Sequence, residues 1–217
     1  MNTVVRSAVC DWSNAEVATE RLPAALRAEV LAKPEWARRQ SGAARLTARA
    51  LLVESGVSQA PDHERVGNHW QISLSHCAEV SGVAIAPPGV AIGVDVERCD
   101  ERNAELLPRL LSAGELTPAV LGDRARYASV LFSLKEAAFK ASGQRYCRHR
   151  LFRTVLDPAT RGIATVACLD ANGRVGVTFN AGYWFDGELV ITVVCSSGRP
   201  VAPLRLAPAT VLQLQPS

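Results

Sequence analysis

Two stretches near the start of the chain, residues 22–33 and 35–55, space their apolar positions as helices do. Pro23 and Pro34 suit first-turn positions and Gly56 suits a C-terminal stop. The period then shortens to two. ISLSH (72–76), VSGVAIA (80–86) and VAIGVDVE (90–97) alternate as strands do, with Pro87-Pro88-Gly89 as a turn. They predict three short strands in an antiparallel meander. The same order then returns. Residues 104–113 and 123–141 read as helices, followed by strands at 163–170, 174–180 and 182–195. Asn172-Gly173 and Asp186-Gly187 mark hairpin turns. Helices followed by strands, twice over, predict an α+β fold of two similar helix-plus-antiparallel-sheet halves in one chain. The tail 198–217 carries four prolines and little periodicity before TVLQL.

Composition narrows this picture without redirecting it. The chain has 217 residues, 48% of them apolar and 21% charged, which excludes disordered and coiled-coil classes. A net charge of +3 is too small to argue for a duplex nucleic-acid partner. Only Lys33, Lys135 and Lys140 are lysines, so 21 of the 24 cations are Arg. The six cysteines stand singly, with no Cys-x-x-Cys pair to suggest zinc. No apolar run approaches membrane-spanning length and the N-terminus lacks a signal-like core. A soluble cytoplasmic protein with reduced thiols is the simplest expectation.

The strand Gly93-Val94-Asp95-Val96-Glu97 is the sharpest local feature. Ile92, Val94 and Val96 share one face; Gly93, Asp95 and Glu97 share the other. The two carboxylates sit about 6.5–7 Å apart at their Cα atoms, so they repel unless a cation or a proton lies between them. They are either harmless acids on an exposed face or ligands for a hard divalent ion. In FSLKEAAFKAS (132–142), Glu136 and Lys140 lie four apart on one helical face. They form either a surface ion pair contributing about 0.3–0.5 kcal/mol or a third carboxylate with cations for a phosphate. Ser75-His76 is no hydrolase signature, because neighbouring strand residues point to opposite faces. His76 is either structural or a donor to phosphate. Arg38, Arg45 and Arg49 recur on roughly one face of the second helix, as a solvated basic face or a phosphate-binding one. No Walker or Gly-x-Gly-x-x-Gly loop occurs.

Taken in order, SLSH, then GVDVE, then Lys-Glu-x-x-x-Lys resembles the 4′-phosphopantetheinyl transferase superfamily. Length and duplicated order resemble its two-half, surfactin-type and enterobactin-type branch. The resemblance implies a pseudo-dimer with the active site at the junction of an N-terminal half, 1–90, and a C-terminal half, 91–217. It implies Asp95, Glu97 and Glu136 as Mg²⁺ ligands, with Mn²⁺ as a substitute. It implies Ser75, His76, Lys135 and Lys140 at the phosphates of coenzyme A, and Arg45, with Arg38 nearby, at its 3′-phosphate. Asp95, Glu136 and Lys140 would carry the catalysis. The implied partners are coenzyme A as co-substrate and an apo acyl or peptidyl carrier protein, served by a monomer with no nucleic acid and no membrane.

The chain departs from the family pattern in three places. Phe132 stands for the helix Trp, Ala44-Arg45 for Gly-Arg, and Gly67-Asn68-His69-Trp70 for a Pro-x-Trp-Pro segment. A non-catalytic carrier-protein or coenzyme A binding module, or a metal-dependent phosphoesterase, is the competing reading.

Overall fold

A computed structural model describes residues 5–56, 70–112, 115, 123–144, 148–157, 159–160 and 162–213. His63, Cys147 and Gly67-Asn68-His69 lie outside the described residues. The chain folds as α+β, with two sheets each packed against helices. Strands β1 (Arg6–Asp11), β2 (Gln71–Cys77), β3 (Val80–Ala86) and β9 (Leu204–Leu206) form one sheet in the order β2-β3-β1-β9. Strands β4 (Ile92–Arg98), β5 (Phe152–Leu156), β6 (Ile163–Leu169), β7 (Val175–Asp186) and β8 (Leu189–Cys195) form the other, in the order β4-β8-β7-β6-β5.

The helices are α1 (Ala24–Leu31), α2 (Glu35–Glu54), α3 (Glu101–Leu110), α4 (Arg124–Ser142) and α5 (Pro208–Leu212). Helix α2 covers the first sheet, where Ala48, Leu51 and Leu52 meet Ala8, Val83 and Ile85. Helix α4 covers the second, burying Leu131, Leu134 and Ala138 against Phe152, Val166 and Val194. Asp123 caps α4 by accepting from the amides of Ala125 and Arg126. Gly143 ends it in the left-handed conformation, φ +65°.

The expected three-strand meander breaks after its second strand. β2 and β3 pair antiparallel, but the far edge of β3 is taken by β1, which alternation alone did not mark. After Pro87-Pro88-Gly89 the chain crosses to the second sheet, where β4 pairs with β8, a strand buried along almost its whole length. The tail also returns: β9 pairs parallel with β1, and Val211 of α5 enters the core beneath α2. The first sheet therefore draws on both ends of the chain, not on residues 1–90 alone.

These crossings bring two sheet edges together. β2 and β4 do not pair by backbone; instead Ser73 Oγ accepts from the Val94 amide at 3.0 Å and Ser75 Oγ from the Val96 amide at 3.3 Å. The hydroxyls satisfy amides that an edge strand would otherwise leave open. On the opposite side, Gly93 lets α4 lie directly on β4. A Cβ there would fall 1.8 Å from the Ala137 carbonyl oxygen. The absent side chain sets how close α4 comes to the carboxylate strand.

Candidate active site

Strand β4 divides its faces as the alternation predicts. Ile92, Val94 and Val96 are buried in the core, while Asp95 turns toward α4. Phe132, Glu136 and Lys140 follow one another at four-residue steps on α4, so they share a face. At one end of that face Lys140 Nζ donates to Asp95 Oδ1 (2.8 Å), the Val94 carbonyl (2.9 Å) and Ser75 Oγ (3.1 Å). Ser75 Oγ in turn donates to Asp95 Oδ1 at 2.9 Å. One ammonium thus ties β2, β4 and α4 together. At the other end Glu136 Oε1 lies 2.6 Å from His149 Nε2. Among the described residues Lys140 pairs with Asp95 and not with Glu136.

The electrostatics follow from burial. Asp95 is 4% exposed, and desolvation pushes its carboxyl up while Lys140 and Ser75 pull it back. Its Oδ1 is saturated, but Oδ2 is buried with no hydrogen-bond partner. Glu97 is pushed up to about 7 by desolvation first, then by the charges of Asp95 and Glu136, with Lys140 opposing. His76 is held below its usual range by desolvation, then by the charge of Lys140 and more weakly that of Lys33. Lys140 is thus the cation beside the carboxylates, with His76 kept toward its neutral form next to it.

These features bear on whether a hard cation suits the site. Carboxylate oxygens are the donors such an ion takes. An orphaned buried oxygen and a carboxyl forced to hold its proton both gain from one. Among the described residues no three His, Cys, Asp or Glu side chains stand together as a ready ligand set. The donors fit by chemistry and proximity of charge, and ligation would require them to close up.

The raised Glu97 makes a prediction. Its folded value of about 7 exceeds the ordinary 4.5. Between those values the unfolded chain releases a proton that the folded one keeps, so this group's contribution to stability falls as pH rises through that window. In chelator, Glu97→Gln is expected to be more stable than wild type at pH 8 by about 1–2 kcal/mol, a figure reduced for partial exposure. The difference should vanish below about pH 4.5. Paired thermal melts check it, and equal curves at pH 8 would refute it.

The remaining expected residues fall elsewhere. Lys135 is fully buried, with Nζ donating to the Leu110 carbonyl (2.5 Å), Ser112 Oγ (3.1 Å) and Glu115 (2.8 Å). Lys135 and Glu115 are both 0% exposed at their side chains and form a core ion pair, so Lys135 stands apart from the face that carries Glu136 and Lys140. The reason is helical geometry: one residue before Glu136, Lys135 leaves α4 about 100° round from it. Arg45 is held by Glu29 at 2.9 Å and Ser41 Oγ at 2.6 Å, and its Nε is buried without a partner. Arg38 is exposed and donates to the Lys33 carbonyl at 3.0 Å. Neither arginine has a hydrogen bond to the β4 carboxylates among the described residues.

Two residues near the site were not foreseen. His149 sits in a basic run with no spacing to recommend it, and Lys33 was marked only by the scarcity of lysines. A groove of about 470 Å³, lined by Val9, Val80, Asp186 and Arg205 among others, shares no residue with this constellation.

Residues 91–194 match the model of the 4′-phosphopantetheinyl transferase superfamily. No curated protein matches the chain. The matched span runs from just before β4 almost to the end of β8, so it contains Asp95, Glu97, Glu136, Lys140 and His149. Arg38, Arg45, Ser75 and His76 lie outside it.

Proposed function

We propose, from the 4′-phosphopantetheinyl transferase superfamily domain at residues 91–194, that this protein moves the phosphopantetheine arm of coenzyme A onto a serine of an apo carrier protein. The observation that carries the reading is the constellation on β4 and α4: Asp95 with one saturated and one orphaned oxygen, Glu97 beside it, and Lys140 and Glu136 on the facing helix.

In the reaction, the serine hydroxyl attacks the pantetheine-side phosphorus of the pyrophosphate. The bond from that phosphorus to the bridging oxygen breaks, adenosine 3′,5′-bisphosphate leaves, and the serine proton passes to a base. Asp95, Glu97 and Glu136 are the residues that would hold Mg²⁺, or Mn²⁺ in its place. When bound, the ion supplies positive charge to pyrophosphate oxygens and stabilises the departing group.

Lys140 has two tasks: it fixes Asp95 through Oδ1, and its charge would act on the same pyrophosphate. His76, kept toward its neutral form, is a hydrogen-bonding group for the coenzyme A phosphates, and Ser75 holds Asp95 in place. Glu136 is the candidate base for the hydroxyl proton. Arg45 and Arg38 are retained as the residues for the 3′-phosphate, which for Arg45 requires departure from Glu29. Lys135 takes no direct part.

Incubation with coenzyme A, Mg²⁺ and an apo carrier protein, read by intact mass, tests the reading. Gain of one phosphopantetheine arm is the expected result. Carrier bound but unmodified favours a binding module, and cleaved coenzyme A without adduct favours a phosphoesterase; either overturns the transferase.

A further inference from the structure

The matched domain has a side chain whose placement its chemistry does not by itself explain. His149 lies on a short helical turn, His149–Leu151, after the end of α4. Its Nε2 reaches Glu136 Oε1 at 2.6 Å, and its ring packs against Phe132, centroids 5.2 Å apart and planes tilted by 41°. Phe132 and Glu136 are one helical turn apart, so the imidazole bridges both ends of a single step on α4.

The turn that carries it is pinned from the other side. The Arg150 guanidinium donates to the Pro108 carbonyl at 2.9 Å. Ser112 Oγ, which accepts from Lys135, lies 3.0 Å from the Arg150 carbonyl and 2.9 Å from that of Phe152. Glu115 accepts from the Thr154 amide at 2.6 Å. The buried Lys135–Glu115 pair therefore anchors the segment that follows His149. An imidazole held this firmly against one oxygen of a carboxylate limits the directions in which that carboxylate can point.

We propose that His149 is a positioning residue for Glu136: through Oε1 it fixes the carboxylate on the α4 face shared with Lys140, from which Asp95, Glu97 and Glu136 would close up around a divalent cation, with Phe132 packed against its ring. The inference rests on the metal reading above. Partners that orient a metal-ligating side chain are worth about 10–100-fold in metal affinity.

Mn²⁺ titration of the full chain without coenzyme A, followed by the electron paramagnetic resonance of the free ion, tests it. His149→Ala is expected to weaken Mn²⁺ binding by about tenfold or more. His149→Gln, whose amide nitrogen can reach the same oxygen, is expected to restore most of the affinity. Unchanged or tighter binding in His149→Ala, or His149→Gln as weak as His149→Ala, overturns the positioning role. If Glu136→Ala loses Mn²⁺ while His149→Ala does not, the metal reading stands and only the inference falls. If wild type binds no Mn²⁺, or Asp95→Asn binds it as well as wild type, the metal reading itself falls.

Discussion

Asp95→Asn is expected to lower the rate of phosphopantetheine transfer by at least about 10²-fold, as does loss of other groups that act on developing charge. The substitution keeps the shape of a side chain that is almost wholly buried and can still meet Ser75. It removes the charge that fixes Lys140, and it turns a carboxylate with a spare oxygen into an amide that binds a hard ion poorly. The fold should survive, because Lys140 is 29% exposed at its side chain and can turn toward water instead of remaining a buried, unpaired charge. Single-turnover rates alongside thermal melts separate the two effects. A folded variant with wild-type rate would remove Asp95 from the mechanism.

Lys135→Met is expected to have the largest effect on stability, a loss of about 3–5 kcal/mol. Against the 5–15 kcal/mol of a typical domain, about a third of the total could go. The Lys135–Glu115 pair is fully enclosed, and three further groups depend on it: the Leu110 carbonyl, Ser112 and the Thr154 amide. Removing the ammonium strands the Glu115 carboxylate without its counter-charge. Lys135→Met with Glu115→Gln should recover part of the loss, since the amide carries no buried charge and its one oxygen can still accept from either the Ser112 or the Thr154 amide. Urea unfolding of the single and double variants checks this. A loss below about 1 kcal/mol in Lys135→Met would contradict the burial of that pair.

The parts of the fold that were legible from sequence are those set by local spacing. The two-residue period of Ile92 to Glu97 showed which side chains share a face. The four-residue steps of Phe132, Glu136 and Lys140 showed a common helix side. Non-local pairing was not legible. β4 looks equally suited to following β3 or to joining β8, and the choice depends on β1 taking the edge of β3. β7 runs unbroken through Gly182 because the Trp184 ring occupies the space a Cβ would need, 2.3 Å from its nearest atom. The strand break expected between 180 and 182 is therefore absent. The burial of Lys135 was not legible either, because its partner is a glutamate twenty residues earlier in a stretch without regular pattern. His149 stayed invisible for the same reason: its meaning depends on which helix face it folds back upon.

Crystals grown with Mn²⁺ and coenzyme A give the most direct measurement, the position of the metal's anomalous scattering. The account predicts a peak in contact with Asp95 Oδ2 and bordered by the carboxylates of Glu97 and Glu136, with Lys140 still on Asp95 Oδ1. A metal bound away from these three side chains, with Asp95 Oδ2 untouched, would contradict it.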